Sequence, residues 1–287
     1  MIVWLASYPK SGNTWIRLFL SYLLSDEKKQ NININEFDNT KLKLKMDQFP
    51  LRSHFDGLTS NPNDVNEFVK NCTLAQTKLN LDNKLKIYKT HNAFWKSNNY
   101  SFTDTENTSG CIYVVRDPRN VITSLKNHFQ IDSIENAFKF IKDDKKLIGV
   151  SKEHNAQFDL PTVISSWQNH YNSWKKLKTN YLLIKYENLL KEPLNEFNKI
   201  CKFLEKLSGI KFDEGEIYRS MKNVEFNKLK KQENLMGFKE APKLKNNKTI
   251  KFFYLGPNNN WKKLLKLETI KQIENSFKSE MEELGYL

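Results

Sequence analysis

Short apolar runs alternate with amphipathic segments along most of this chain. The first run, Ile2 to Ala6, leads into Ser7 to Asn13, which contains proline, glycine, serine and asparagine. From Thr14 to Leu24 apolar residues recur at helical spacing. The pattern predicts a strand, a loop and a helix in that order. A short, continuous apolar run is typical of a strand buried in a parallel sheet.

The same order recurs further along the chain. It predicts strands at Leu85 to Tyr88, Cys111 to Val115 and Tyr181 to Ile184, and helices at about 118–128, 162–177, 187–207 and 261–284. Alternating strands and helices predict an α/β fold with a central parallel sheet flanked by helices, in a single domain over residues 1–287. Ligands of such sheets bind at the carboxyl ends of the strands, so the loops after Ala6, Tyr88 and Val115 form the candidate site.

Two segments break the pattern, at residues 25–84 and 129–160. Both are polar, rich in Lys, Asn and Asp, and without a repeat, so they are predicted to be irregular insertions. Insertions of this kind serve as lids or acceptor-side walls, or else as passive surface loops, and the sequence leaves both interpretations open.

The net charge is 46 − 33 = +13. A positive field attracts nucleic acid, an anionic membrane or a phosphorylated cofactor. The lysines are scattered among asparagines rather than clustered, and no basic stretch interleaved with aromatic residues stands out. The charge therefore supports an anionic ligand only weakly, and nucleic-acid binding stays an alternative that predicts salt-dependent affinity.

Three cysteines lie far apart, at Cys72, Cys111 and Cys201, with no CxxC or Cys/His cluster. The sequence therefore predicts no metal site, and the odd cysteine count fits a reducing compartment. The apolar start, Met1 to Ala6, is too short for a signal-peptide core, and no apolar run approaches the ~20 residues of a membrane-spanning helix. A soluble, cytoplasmic protein is expected.

The first loop has the order of a phosphate-binding loop. A strand that runs through a glycine-containing loop into a helix directs backbone N–H groups and the positive helix end at one anion. A Walker loop reads GxxxxGK[ST], whereas here Ser7 and Asn13 replace the first glycine and the lysine, and the lysine lies at Lys10. At that position it can reach a bridging oxygen and stabilise charge that develops there. A merely solvated lysine is the alternative.

The string Tyr-Pro-Lys-Ser-Gly-Asn-Thr-Trp at residues 8–15 resembles the first signature of the sulfotransferase family, with only Asn13 departing. The resemblance implies a P-loop-NTPase-like three-layer fold and the co-substrate 3′-phosphoadenosine 5′-phosphosulfate (PAPS). It also implies that Lys10 is catalytic, that Ser11, Gly12, Asn13 and Thr14 bind the 5′-phosphosulfate and that Trp15 lies on the adenine side. The chain looks most like bacterial sulfotransferases that act on small molecules or glycopeptides.

The second loop, Arg116-Asp117-Pro118-Arg119-Asn120, precedes a helix that carries Ser124. A guanidinium and a hydroxyl together can bind a phosphate. The segment resembles the family's Arg-Asp/Asn-Pro-Arg/Lys-Asp-x-x-x-Ser signature, which implies 3′-phosphate binding by Arg116 and Ser124. A turn closed by a surface salt bridge is the alternative.

His91 follows a predicted strand in Lys89-Thr90-His91, at the same sheet edge. An imidazole with a pKa near ~6.5 suits a general base at neutral pH. The family has Lys-x-His here, which implies that His91 takes the acceptor proton and that Lys89 stabilises the transferring group. We interpret His170 as a packing residue, and His54, His128 and His154 lie in no motif.

Three further residues are assigned to the nucleotide. By resemblance to the family's Tyr-Glu-Asp segment, Tyr186 contacts the adenine, and Tyr218 falls where the family often has a stacking aromatic, although core packing explains it equally well. Gly256 keeps its spacing to Trp261-Lys262 in the last family block. There the usual Arg-Lys pair is Tyr254-Leu255 and the second glycine is Asn259, while Lys251 or residues 243–248 are candidates to supply the missing charge.

The sequence thus predicts sulfuryl transfer from PAPS to an acceptor hydroxyl or amine, leaving 3′-phosphoadenosine 5′-phosphate (PAP), without a metal ion. The acceptor is expected to be a small molecule or glycoconjugate, with Phe94 and Trp95 as candidate pocket residues. Nothing sets the oligomeric state, and the Lys-x-x-x-Thr-Val dimer motif of animal members is absent. A P-loop kinase or nucleotide hydrolase using ATP and Mg²⁺ is the main alternative, and a fold that has lost activity is another.

Overall fold

The computed structural model describes residues 1–25, 33–35, 42–149, 160–242 and 249–287. They form two compact units. The first consists of Met1–Pro9, Leu44–Val115 and Phe140–Ile184, and the second of Lys10–Lys43, Arg116–Lys139 and Lys185–Leu287. A single domain over the whole chain stays a prediction.

The strands are β1 (Ile2–Ser7), β2 (Lys45–Gln48), β3 (Lys86–Thr90), β4 (Lys96–Ser97), β5 (Tyr100–Ser101), β6 (Thr108–Val115), β7 (Leu147–Ile148), β8 (Thr162–Val163) and β9 (Asn180–Lys185). The helices are α1 (Asn13–Leu24), α2 (Val65–Asn80), α3 (Pro118–His128), α4 (Ile134–Lys142), α5 (Trp167–Trp174), α6 (Tyr186–Lys191), α7 (Pro193–Ser208), α8 (Glu214–Asn223), α9 (Phe226–Met236), α10 (Trp261–Leu264), α11 (Leu267–Ser276) and α12 (Lys278–Glu283). Short 3₁₀ helices lie at Arg52–Phe55 and Gly256–Asn258.

The first unit is built on a five-stranded sheet in the order β2-β3-β1-β6-β9. Strand β1 pairs in parallel with β3 and with β6, so that Leu5 lies opposite Lys89 on one side and Ile112 on the other. All six residues of β1 are buried, which explains why its sequence is a continuous apolar run. The expected central parallel sheet is confirmed, and β1, β3 and β6 end at the same edge.

Helix α2 and strand β2 correct the prediction that residues 25–84 are irregular. Helix α2 begins at an Asp64 N-cap, whose carboxylate accepts hydrogen bonds from two backbone N–H groups of the first turn. It buries a narrow stripe of Phe68, Cys72 and Ala75, which polar neighbours obscure in the sequence. Residues 26–32, 36–41 and 150–159 of the two insertions, His154 among them, lie outside the described residues.

Two predicted helices have different boundaries. The segment 162–177 contains the short strand β8 before helix α5, and 261–284 is divided into α10, α11 and α12. Helix α4 and strand β7 lie within residues 129–160, which were predicted to be irregular, and helices α8 and α9 were not predicted. All three cysteines are free and buried. Among the described residues, no helix combines the length and apolar character needed to cross a bilayer, and no group of three or more acidic, histidine or cysteine side chains is arranged to hold a metal.

Candidate active site

An anion cradle, which we define as Lys10 to Thr14 together with Arg116, lies in the second unit. Its backbone turns through left-handed conformations at Lys10 (φ +68°) and Gly12 (φ +105°). Gly12 is the N-cap of α1 and has no side chain with which to cap it. A Cβ at Gly12 would lie 2.6 Å from Tyr186 Cδ2, so glycine is required both for the conformation and for the contact.

Arg116 joins the two predicted phosphate loops. Its Nη1 donates a hydrogen bond to the Lys10 carbonyl oxygen at 3.0 Å. The guanidinium carbon lies 4.1 Å from the centroid of the Tyr186 ring, in cation–π geometry, and Arg116 is buried. The structure therefore brings together one residue from each of three predicted cofactor segments: Lys10, Arg116 and Tyr186.

Two buried side-chain donors lie within and beside the cradle. Ser11 Oγ and the neighbouring Trp15 Nε1 are buried and have no hydrogen-bond partner among the described residues. Leaving such a donor unsatisfied costs about 1–3 kcal/mol, so a ligand that satisfies it is favoured. Thr14 Oγ1 donates to the carboxylate of Glu240 at 3.1 Å, so an anion already occupies this hydroxyl. The donor set fits a phosphate or phosphosulfate group.

The Lys10 amine lies beside an imidazole and an aromatic ring. Its Nζ lies 3.3 Å from His128 Nδ1 and 4.0 Å from the centroid of the Phe252 ring. Burial, followed by the nearby Arg116 charge, lowers the pKa of Lys10 to about 7, whereas Glu240 and Glu233 act in the opposite direction. The Lys10 amine is thus poised between its charged and neutral forms near neutral pH. His128, for which the sequence offered no motif, is a partner that sequence reasoning missed.

The rest of the second loop is structural. Asp117 caps α3 through the Arg119 N–H, and its carboxylate forms a buried ion pair with the Arg119 guanidinium at 2.7 Å. Arg119 also contacts Glu274, and it stacks 3.9 Å from the Trp261 ring centroid. The salt-bridge alternative therefore describes Asp117 and Arg119 correctly, although the pair is buried rather than on the surface.

Glu187 holds this loop against the Tyr186 segment and was also missed from the sequence. Its carboxylate accepts hydrogen bonds from the Asp117 backbone N–H at 3.0 Å and from the Tyr286 hydroxyl at 2.8 Å. Burial raises the pKa of Glu187. The position of Glu187 next to Tyr186 was a sequence signal that it has a role. Its partners Asp117 and Tyr286 lie 70 and 99 residues away in the chain, so the sequence could not identify them.

Two departures from the family pattern lie against each other. Asn259 donates through Nδ2 to the Asn120 carbonyl at 3.0 Å and accepts from Thr123 Oγ1 at 2.6 Å. Asn120 Oδ1 in turn accepts from the Trp261 N–H at 3.0 Å. These amides fasten the last family block to α3, so both substitutions have a structural role.

Gly256 lies in the same block with φ +53°, where a Cβ would clash with the Phe226 ring at 2.2 Å. Tyr254, which replaces a family cation, is exposed, and so is Lys251, the described candidate to replace that charge. The other candidates, residues 243–248, lie outside the described residues. Cofactor binding at Gly256 stays a prediction.

The general-base candidate lies in the first unit, at the carboxyl edge of the sheet. His91 Nδ1 is 2.8 Å from the Ser7 carbonyl oxygen, which only accepts, so Nδ1 carries the proton. In the neutral ring Nε2 then has the lone pair that a base requires. Lys89 lies one residue before Thr90 on β3 and is half-buried.

Helix α5 supports the backbone that carries His91. His170 Nε2 donates to the His91 carbonyl at 3.1 Å, and burial lowers the pKa of His170 to about 3, so its ring is neutral. Ser173 Oγ accepts from the Phe94 N–H, and Trp174 Nε1 donates to the Asn92 carbonyl. His170 therefore does more than pack.

The remaining predicted residues are placed as follows. Asn13 is buried in the first turn of α1, and Ser124 is half-buried on α3. Tyr218 lies on α8 with 48% of its surface exposed, and α8 packs against α1. Phe94 is buried against Trp174. A place for Phe94 and Trp95 in the acceptor pocket stays a prediction.

The model of the sulfotransferase domain family matches residues 2–285. The chain belongs to the sulfotransferase family. It is 24% identical over 281 residues to Cytosolic sulfotransferase 1 of Danio rerio, an alignment that covers 96% of this chain and 81% of that protein. It is 26% identical over 205 residues to Sulfotransferase 1B1 of Canis lupus familiaris, where the alignment covers 70% of this chain and 58% of the relative.

A solved structure shares the fold. Mouse sulfotransferase SULT7A1, crystallised as a complex with PAP, superposes with a TM-score of 0.57 at 18% identity and covers 97% of this chain and 83% of that one. The expected sulfotransferase-type, P-loop-NTPase-like α/β fold is thereby confirmed.

Proposed function

We propose that this sulfotransferase moves a sulfuryl group from PAPS to the hydroxyl or amine of a small molecule or glycoconjugate. The observation that carries the proposal is the hydrogen bond from Arg116 to the Lys10 carbonyl, since it joins two loops that each suit one phosphate. PAPS differs from ordinary adenine nucleotides in having a phosphate at each end of its ribose, and it therefore requires two such loops.

The residues of the second unit would bind PAPS in three parts. Ser11, Asn13 and Thr14, with the backbone of Gly12, would hold the 5′-phosphosulfate, supported by the buried Ser11 hydroxyl, which has no hydrogen-bond partner among the described residues. Arg116 and Ser124 would hold the 3′-phosphate. The adenine would lie among Trp15, Tyr186 and Tyr218, with Gly256 at the last block.

The chemistry divides between Lys10 and His91. His91 Nε2 accepts the acceptor's O–H or N–H proton as the acceptor atom bonds to sulfur. The bond between sulfur and the bridging oxygen breaks, its electron pair stays on that oxygen, and the Lys10 ammonium stabilises the charge that forms there. Lys89 would stabilise the transferring group. This step needs no metal ion, because the Lys10 ammonium neutralises the negative charge that forms on the departing phosphate oxygen.

The site of action is proposed to be the cytoplasm. A relative that covers most of the chain is named as cytosolic, and three buried, unpaired thiols suit a reducing compartment. The relatives above are animal proteins, so a bacterial origin stays a prediction.

A thermal-shift comparison of PAP with ATP·Mg²⁺ and AMP tests the proposal. A ligand at 100 times its Kd stabilises the folded state by about 2.7 kcal/mol, which raises the Tm of a chain of this size by several degrees. We expect that shift with PAP and a much smaller one with AMP, which lacks the 3′-phosphate. An equal or larger shift with ATP·Mg²⁺ and none with PAP would overturn the proposal.

A further inference from the structure

His128 contacts the amine of Lys10, and no known motif accounts for that contact. Its Nδ1 lies 3.3 Å from Lys10 Nζ. The ring of Phe252 packs edge-on against the His128 ring, with centroids 5.9 Å apart, and its face lies 4.0 Å from the same amine. The Lys10 side chain is thus bounded by an imidazole and by an aromatic face.

The direction of this hydrogen bond follows from the chemistry of the two groups. In the charged form of Lys10 the ammonium only donates, so Nδ1 accepts and the imidazole proton lies on Nε2. A bond that accepts from the charged amine stabilises its charged form and opposes the burial that lowers the pKa of Lys10.

Carboxylates are an alternative means of holding Lys10, but the two that influence it have other roles. Glu233 accepts hydrogen bonds from the backbone N–H groups of Phe252 and Phe253, at 2.6 and 3.0 Å. Glu240 accepts from Thr14 and from Arg17. Glu233 and Glu240 thus hold residues next to the cradle in place, whereas His128 contacts the Lys10 amine directly.

The position of His128 on α3 connects it with the proposed nucleotide residues. Residues four apart lie on the same face of a helix, and Ser124 and His128 are so spaced. The same helix begins just after Arg116. Helix α3 therefore carries Ser124, one of the two groups proposed for the 3′-phosphate, and, one turn further on, the partner of the lysine.

We propose that His128 is a positioning residue that accepts one N–H of the Lys10 ammonium before PAPS binds and during transfer, and so directs the other N–H groups at the bridging oxygen. This rests on the proposed function, since it assigns a partner to the lysine of that site. His128 touches neither the sulfur nor the acceptor, and it acts through Lys10.

Two substitutions separate positioning from packing. His128→Leu removes the acceptor, whereas His128→Asn keeps an acceptor oxygen near the place of Nδ1. We expect His128→Leu to lower kcat about tenfold, the value of one charge-assisted hydrogen bond of roughly 1.5 kcal/mol, with the Kd for PAP within about twofold of the original. His128→Asn should restore kcat to within about threefold. Lys126→Gln, two residues away and thus on another face of the helix, is the matched control and should change neither quantity.

A second measurement needs no turnover. The rate at which a small acetylating reagent modifies Lys10 in the cofactor-free protein is read by peptide mass spectrometry. Without its acceptor the amine loses its proton more readily, so His128→Leu should raise the rate at neutral pH severalfold, while His128→Asn should stay near the original. In a Lys10→Ala background, His128→Leu should leave the residual activity unchanged, because the pair no longer exists.

An unchanged acetylation rate and unchanged kcat in His128→Leu would overturn the inference. Equal losses of kcat in His128→Leu and His128→Asn, in step with equal losses of Tm, would also overturn it by showing a packing role. Failure of the proposed function is a different result: normal sulfuryl transfer by Lys10→Ala removes the lysine from the chemistry, whatever the acetylation rates are.

Discussion

Arg116 Nη1 donates to the carbonyl oxygen of Lys10 at 3.0 Å, which ties together two segments 106 residues apart in the chain. Because the acceptor is a backbone atom, the bond does not depend on which side chain stands at position 10. Substituting the lysine therefore tests its chemistry without cutting the connection between the loops.

Substituting Arg116 should discriminate between nucleotides. Arg116→Ala is expected to weaken PAP binding roughly 10–100-fold more than binding of adenosine 5′-phosphosulfate, because charge-assisted hydrogen bonds to the 3′-phosphate are worth about 1.5–3 kcal/mol. Calorimetric titration of both ligands gives the ratio. Any loosening of the Lys10 loop should weaken the binding of both nucleotides and therefore cancel in the ratio of their affinities. Equal weakening of both would refute a 3′-phosphate role for Arg116.

His91 should be essential for transfer and dispensable for binding. We expect His91→Ala to lower kcat by roughly 10²–10⁴-fold, the usual contribution of a general base, and to retain the Tm shift with PAP. His91→Asn is the matched variant, since its amide can still donate to the Ser7 carbonyl but cannot take up a proton. Near-normal turnover by either variant would exclude His91 as the base.

Lys10 should impose an alkaline limit on activity. Its ammonium form stabilises the bridging oxygen, and its pKa is lowered to about 7, first by burial and then by Arg116. Raising the pH through 7 deprotonates Lys10 in the free enzyme, so kcat/KM for PAPS should fall. Below pH 7 Lys10 is charged, and its contribution to kcat/KM should be fully retained. The arginine of Lys10→Arg stays protonated, so the alkaline fall of kcat/KM should disappear in this variant, even if the variant turns over more slowly. An unchanged alkaline limb in that variant would assign it to another group.

Gly12 should tolerate no side chain. Gly12→Ala combines a left-handed backbone with a Cβ 2.6 Å from Tyr186, whereas Gly209→Ala at φ +73° meets nothing within 4 Å. Backbone strain should cost each variant about 1–2 kcal/mol of unfolding free energy, and the clash should cost Gly12→Ala roughly 1–3 kcal/mol more. Urea denaturation measures both, and similar losses would mean that Tyr186 moves aside easily.

The Asp117–Arg119 pair should matter for stability rather than for recognition. Arg119→Leu leaves a buried carboxylate uncompensated and should lower the free energy of unfolding by about 3–5 kcal/mol. The exposed pair of Lys70 and Glu67 provides the control, because Lys70→Met should cost no more than about 1 kcal/mol. Comparable effects of the two substitutions in urea titrations would contradict the structural role.

The sequence predicted what local patterns encode. The run Ile2 to Ala6, the loop after it and the helix to Leu24 follow from short-range spacing, and the structure has all three within a residue or two. Helix α2 was missed because its apolar stripe is narrow and the surrounding residues are polar. Its N-cap, Asp64, was the local signal that identifies it.

Partners that are distant in sequence were beyond prediction. The contacts of His128 with Lys10 and of Glu187 with Asp117 join segments 118 and 70 residues apart. Nothing near His128 in the chain marks it as a partner of the lysine, since the contact exists only once α3 and the first loop are in place. The two departures Asn120 and Asn259 look like defects in the sequence. The Asn259 side chain bonds to the Asn120 carbonyl, and the Asn120 side chain bonds to the Trp261 N–H, and these contacts between distant segments explain them.

The burial of all three native thiols has a practical use. Burial raises the pKa of Cys72 and Cys111 far above the usual range and that of Cys201 to about 12, so these sulfurs react poorly with maleimides. A cysteine introduced on the exposed face of α8, for example by Arg219→Cys, would take up a fluorophore selectively without removing any native cysteine. Nucleotide binding could then be followed by the fluorescence of a label at one position.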